Sequence, residues 1–333
     1  STPMLPKSPS GPRRFAWLPA AFATLILALP LALPSAAKAQ TRILVPYPPG
    51  GATDMLARTL APRLGAVLGQ NFIVENRAGA SGQIGTAALK GAPADGSVYL
   101  FSTEHTVVTV PFLFPKAGYD ALKDFMAVGQ VARFQLGMTV SPGTGAKSLS
   151  EFADFARANP AKANYGVPVI GGFPSTVGVA VSKKVGTPMT AVPYNGSGPV
   201  VQAVAADQVS SGITGLADTM PMVQAGRVRV VAVTGTKRSS VLPDVPTFEE
   251  LGYPGMNVYG WYAFFAPKGL PPPVAEKFNK ALATVLAEPE IRQRIRDLTT
   301  ELAPTTLDEA DRELRTSYDF WTRAANSPDF VRP

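Results

Sequence analysis

The chain has 333 residues, of which 46% are apolar and 17% charged, the composition of a folded chain long enough for two cores and not of a disordered one. It has no cysteine and one histidine, His105, so disulfides, thiolate metal sites, cysteine nucleophiles and multi-histidine metal centres are excluded, and no cofactor is expected. The formal charge of +7 falls to 7 − 4 = +3 without residues 1–39, which hold Lys7, Arg13, Arg14, Lys38 and no acid; with no basic run in what remains, nucleic acid is not an expected partner.

Residues 1–39 read as an export signal. Arg13 and Arg14 precede an apolar stretch, densest over 20–29, that Pro30 and Pro34 interrupt. Ala37-Lys38-Ala39 then supplies the small-x-small cleavage pattern before Gln40. The uncharged run 15–37 would also suit an uncleaved membrane anchor, but the prolines and the Ala-x-Ala site argue against one. The arginine pair fits either the general (Sec) export route or the twin-arginine route.

Past the signal, strand and helix patterns alternate. A short apolar strand is expected over 42–46. The turn Pro48-Pro49-Gly50-Gly51 leads into a helix over 53–68, where Leu56, Leu60, Leu64 and Leu68 recur every four residues. A strand over 72–75, a glycine-rich loop over 79–85 opening a helix to Lys90, and a strand over 98–102 complete parallel strand-helix-strand units. Ser148 with Glu151 forms a capping box for a helix to Asn159. Helices are expected over 177–185, 198–206 and 219–225, with strands over 211–214, 229–233 and an aromatic-rich 258–265. From Pro272 on the pattern is helical throughout: 274–287, 289–298 and 307–325.

This order gives an α/β fold of two lobes. A helical tail after the second lobe crosses back to the first, which makes the first lobe discontinuous: 41–138 plus 262–333, with 139–261 as the second lobe. The crossings are expected at Ser141-Pro142-Gly143 and Tyr259-Gly260-Trp261.

Candidate binding residues sit where strands end. After the strand 42–46, two prolines stiffen the turn, Gly50 and Gly51 bare the backbone, and a helix begins at Ala52 and Thr53. Free N–H groups at a helix start carry partial positive charge and hold anions. The N–H groups of Gly51 and Ala52 are expected to face a ligand carboxylate, and a side chain at Gly51 either to sit where the carboxylate approaches or to be forced into a backbone region open only to glycine. Asp54 cannot attract an anion; its expected task is to fix the loop from the first helical turn. Ligands in open α/β sheets lie beyond the carboxyl ends of strands, which adds Ser102, Thr103, His105, Gly171, Gly172, Tyr194, Asn195, Gly196 and Asp218. Taken singly each also suits an ordinary loop, and His105 an ordinary surface histidine.

Rival motifs are missing. The Pro-Pro-Gly-Gly turn lacks the lysine of a nucleotide-phosphate loop. No Gly-x-Ser-x-Gly nucleophile elbow occurs, no paired carboxylates stand out, and one histidine leaves a single candidate base. No catalytic or metal-ligating residue is expected.

Several motifs together resemble the Bug-type periplasmic receptors of tripartite tricarboxylate transporters: Val45-Pro46-Tyr47-Pro48-Pro49-Gly50-Gly51 with Asp54 and Ala57-Arg58, Val74-Glu75-Asn76-Arg77-Ala78-Gly79-Ala80, Gly82-Gln83-Ile84-Gly85, Ala94-Asp95-Gly96, Val192-Pro193-Tyr194-Asn195-Gly196, Gly226-Arg227-Val228-Arg229, Leu242-Pro243-Asp244-Val245-Pro246-Thr247 and Trp261-Tyr262. The resemblance runs through essentially all of the chain after the signal. It implies a two-lobed periplasmic binding protein (Venus-flytrap) fold, a periplasmic location, and no enzymatic activity. It implies a small carboxylate ligand, a di- or tricarboxylate or related organic acid, and membrane transporter subunits as partners of a monomer. By motif it places Gly50, Gly51, Ala52, Thr53, Asn195, Ser102 and Thr103 at the ligand. A sensor delivering to a signalling partner, or an exported hydrolase, are the alternatives. One stretch departs from the family pattern: Val167, Gly172 and Ser175 stand where Ser, Ser and His are usual, and Val179 where Glu is common. Polar groups are lost there, and His105 is the residue that could replace them.

Overall fold

The computed structural model describes Gly11, 40–326, Phe330 and Arg332. The expected export signal lies outside the described residues, apart from Gly11. Every element below falls within one compact unit, Lys38–Pro333.

In chain order the first elements are β1 (Gln40–Val45), α1 (Ala52–Leu68), β2 (Asn71–Asn76), α2 (Gln83–Lys90) and β3 (Val98–Thr103). A π-helical turn (His105–Thr109) and two short helices, α3 (Val110–Leu113) and α4 (Ala121–Asp124), lead to β4 (Phe125–Phe134). Next come β5 (Leu136–Val140), α5 (Leu149–Ala158), β6 (Asn164–Val167), α6 (Gly172–Val185), β7 (Thr190–Pro193), α7 (Ser197–Ala205), β8 (Ser211–Gly215), α8 (Leu216–Gln224) and β9 (Arg229–Val233). The chain finishes with β10 (Gly260–Pro267), α9 (Pro272–Leu286), α10 (Pro289–Asp297), β11 (Glu301–Leu302) and α11 (Leu307–Ala325).

Two sheets result. One has the order β11-β4-β10-β3-β1-β2, the other β7-β6-β8-β5-β9. The fold is the mixed α/β, two-lobed one expected. Within the first sheet β2, β1 and β3 run parallel, and β10 is antiparallel to both β3 and β4. The first sheet is covered on both faces. Phe264 and Phe101 belong to the cluster under α1 and α9, while their neighbours Phe265 and Leu100 belong to the cluster under α11. This is the two-residue alternation of a strand buried on both sides. The leucine stripe of α1 faces the first of these clusters, with Leu56, Leu60 and Leu64 fully buried. Each such side chain contributes about 1.5–3 kcal/mol.

Three differences from the sequence reading concern the fold. Strands β4, β5, β6 and β7 were not anticipated: they are short or carry Gly, Ala and Gln among buried residues, so neither a hydrophobic run nor a turn signal marks them. The helical tail contains one strand, β11, which pairs with β4 at the sheet edge. The first crossing also differs. The chain changes sheet at Gln135, between β4 and β5, whereas Ser141-Pro142-Gly143 lies beyond β5 in a short helical turn. Gln135 is braced there, its Nε2 donating to the carbonyls of Thr234 (2.7 Å) and Lys237 (2.8 Å). The return strand enters alongside, since Gly260 pairs with Phe134. A Cβ on Gly260 would stand 2.1 Å from the Phe134 ring, so glycine permits this approach.

Candidate binding cleft

A cleft of about 670 Å³ runs between residues of the two sheets' connections. Five helices begin on it: α1, α2, α6, α7 and α8. Each of the five has glycine at its N-cap (Gly51, Gly82, Gly171, Gly196, Gly215), and none has a side chain capping it. Of the helices that begin away from the cleft, α4, α5 and α11 are capped by Asp120, Ser148 and Thr306, whereas α3, α9 and α10 have no side-chain cap but also no glycine at the N-cap. Uncapped first turns leave N–H donors for something other than the chain itself. Gly51, Thr53, Ser197 and Gly198 present N–H groups with no acceptor among the described residues.

The loop before α1 is held from behind by Asp54. Its carboxylate accepts from Gly50 N–H (2.9 Å), Arg58 Nε (3.0 and 3.1 Å) and Asn76 Nδ2 (2.9 Å). Asn76 Nδ2 also donates to the carbonyl of Tyr47 (3.1 Å), and Asn76 Oδ1 accepts from Arg58 Nη2 (2.8 Å). The β1–β2 register sets Asn76 beside Val45, so the Glu-Asn-Arg segment buttresses the turn. Burial works to raise the Asp54 pKa, but the bonds from Gly50, Asn76 and Arg58, with the charge of Arg58, outweigh it and leave the carboxyl below its ordinary value.

The glycine that needs its freedom in this loop is Gly50, at φ +94°. Gly51 has φ −77° and ψ 171°, open to any residue, so the expected backbone reason does not apply to it. The N–H of Ala52 is also not free. It donates to Asp218 Oδ1 at 3.0 Å, a bond that joins the first turn of α8 to the first turn of α1 across the cleft. Burial raises the Asp218 pKa and this bond opposes it.

The remaining expected residues divide. Thr103, His105, Asn195 and Gly196 line the cleft together with Gly50, Gly51, Ala52, Thr53, Asp54 and Asp218. Four do not line it. Ser102 is fully buried behind Thr103, with its Oγ 3.5 Å from the Tyr47 hydroxyl. Tyr194 packs beside Gly166 and the valines of α7. Gly171 and Gly172 shape the start of α6 at φ +91° and +67°, while the next two residues, Phe173 and Pro174, line the cleft. Ser175 turns back, its Oγ accepting from Gly171 N–H at 2.7 Å.

His105 fills the notch that Gly172 leaves: a Cβ there would stand 2.3 Å from both Cε1 and Nδ1 of the ring. Both ring nitrogens are buried without a partner. Burial pushes the His105 pKa down to about 4, so the imidazole is neutral at pH 7. The adjacent Glu104 is 3% exposed, and its Oε1 accepts from Thr109 Oγ1 (3.2 Å), Trp321 Nε1 (3.1 Å) and Ser317 Oγ. Burial raises the Glu104 pKa, against the pull of those three bonds.

Sequence reasoning missed several lining residues. Tyr47 was part of the quoted motif, and its hydroxyl bonds Thr103 Oγ1 (2.8 Å) and Thr106. Glu104 stood beside His105 in the same stretch. Phe173, Gln202 and Arg294 carried no signal, because their helices reach the cleft only through tertiary packing. Among the described lining residues Arg294 is the sole Lys or Arg. No group of three or more His, Asp or Glu among the described residues is placed to hold a metal ion.

Residues 56–312 match the family described as "Tripartite tricarboxylate transporter family receptor". Protein BugT of Bordetella pertussis is 32% identical over 265 residues, covering 79% of this chain and 81% of BugT. The structure of periplasmic binding protein BugD superposes with a TM-score of 0.79 at 29% identity, over 85% of this chain and 95% of that one. A Rhodopseudomonas palustris protein solved with adipate gives 0.80 at 31% identity, over the same two shares. By the match over residues 56–312 and the identity to BugT, the chain belongs to the tripartite tricarboxylate transporter receptor family, whose members are binding proteins and not enzymes.

Proposed function

We propose that the protein captures a small carboxylate in this cleft, outside the cytoplasm, and delivers it to the membrane subunits of a tripartite tricarboxylate-type transporter. The observation that carries this reading is the set of five glycine-capped helix N-termini converging on one cavity. Their dipoles, with the free N–H groups at the starts of α1 and α7, attract an anion without a salt bridge. The anion meets the N–H groups of Gly51 and Thr53 on one side and of Ser197 and Gly198 on the other, with Thr103 and Asn195 as polar side-chain contacts. Gly50 and Asp54 hold the loop in place.

In this reading the second lobe, expected over 139–261, instead begins with β5 at Leu136 and ends before β10 at Gly260, the rest from 41 on forms the first, and the hinge lies at the two neighbouring crossings near Gln135 and Gly260. The protein is exported to the periplasm, loses its signal near Ala39 and works as a monomer. The adipate-bound relative supports a carboxylate as the ligand class. Among the described residues no helix is long and apolar enough to cross a membrane. The test is mass spectrometry of the small molecule released when the purified protein is denatured, with calorimetry of that compound against the intact protein. A carboxylate is expected, with affinity unchanged by a chelator. A cationic or uncharged compound bound tightly in the cleft would overturn the reading.

A further inference from the structure

His105 poses a problem that the carboxylate reading does not solve. Buried polar atoms are almost always paired, and each unpaired one is costly. Here both nitrogens of one ring lack a partner, on a residue that lines the cleft. The ring is held in place and is not a stray rotamer: it occupies the space above Gly172, at a positive φ where any side chain would collide with it. A neutral imidazole has one N–H donor and one bare nitrogen acceptor. It therefore suits a group that can both accept and donate, such as a hydroxyl or an amide.

The surroundings set the charge of that group. Arg294 stands on α10, which packs against α1, α9 and β11, whereas the π-helical turn carrying His105 packs against β3, α2, α3, α6 and α11. The residue next to His105 is the acid Glu104, and beside them, at the start of α6, stand Phe173 and Pro174. No side chain among these offers positive charge to a second carboxylate, which would have only the N-termini of α2 and α6 beside it, and burying an uncompensated charge is expensive.

Resting on the carboxylate reading above, we propose that the ligand is a monocarboxylate with a neutral hydrogen-bonding group at its far end, and that His105 is the residue that selects that group. One carboxylate is held at the helix starts, an apolar body lies along Phe173 and Pro174, and a hydroxyl or amide meets the imidazole.

The experiment is calorimetry on the intact protein at neutral pH with two matched series: hexanoate, 6-hydroxyhexanoate and adipate, then butanoate, 4-hydroxybutanoate and succinate. In the series whose length fits, the hydroxy acid is expected to bind about tenfold tighter than the methyl-ended acid and also tighter than the dicarboxylate. In His105→Phe that step between hydroxyl and methyl should vanish, and in His105→Gln, which keeps a donor and an acceptor, it should partly return. A dicarboxylate that binds tightest, or a hydroxyl preference that survives His105→Phe, overturns the proposal and leaves the carboxylate receptor standing. If none of the six acids binds, the proposal falls, while the carboxylate reading stands or falls with the compound released from the denatured protein. The wild-type ranking stands by itself should a variant fail to fold.

Discussion

The two ends of the cleft follow opposite rules. Around α1 the polar side chains are spent inside the protein: Asp54, Asn76 and Arg58 bond one another and the loop backbone, so the turn is set before any ligand arrives. At the π-helical turn and α6 the reverse holds. Gly172, at positive φ, leaves a notch, and a histidine enters it with both nitrogens unpaired. The first end is pre-organised, which saves ordering entropy on binding. The second is unfinished until a ligand completes it.

The strongest way to break the comparison is Asp54→Ala. It removes a buried acceptor from Gly50, Arg58 and Asn76 together, so about 2–3 kcal/mol of stability should go, with carboxylate affinity falling more than roughly tenfold as the loop loosens. Denaturant unfolding and calorimetry measure the two. Normal affinity in a folded Asp54→Ala protein would show that the loop does not depend on its buttress.

A smaller effect is expected from Asp218→Ala, which cuts the bond joining α8 to Ala52. Affinity should fall about fivefold to tenfold, the worth of one such bond, and small-angle scattering without ligand should show a larger radius. Tighter binding would mean instead that Asp218 competes with the ligand for the Ala52 N–H.

The smallest effect is a pH dependence at the unfinished end. The His105 pKa is lowered to about 4 in the folded protein, against an ordinary 6.5. As pH falls from about 6.5 towards 4 the unfolded chain takes up a proton that the folded one refuses, so stability is lost over that window. Glu104 and Asp218, both raised, work in the opposite direction on acidification, so the comparison is wild type against His105→Phe. The variant should lose roughly 2–4 °C less in melting temperature between pH 7 and pH 5. Equal losses would mean that His105 is not shielded from water.

Much of this was legible in the sequence. Leucines at four-residue spacing marked α1, and Ser148 with Glu151 marked the start of α5. The order of strands and helices implied two α/β lobes with a first lobe visited twice. The Pro-Pro-Gly-Gly turn pointed to a helix start able to hold an anion. Less was legible where strands are short and buried. β4 and β5 run on either side of Gln135 with no glycine-proline punctuation, so the crossing was expected six residues too late, at Ser141. In the site, Tyr194 and Ser102 stood in suggestive positions yet pack inward. Gly50, not Gly51, carries the positive φ, a distinction that two adjacent glycines cannot reveal by themselves.

By itself the sequence determined the chemistry that is absent, with no thiol and only one imidazole, and the local signals that place helices, the Pro-Pro-Gly-Gly turn before α1 and the family. The tertiary structure alone decided which groups meet across the cleft: Asp218 with the N–H of Ala52, and His105 with the notch at Gly172. The physical reason is range. Caps, turns and periodicities act within a few residues, so local pattern encodes them. A contact between two lobes depends on how independent sheets stack and where the chain crosses, which no short stretch of sequence contains.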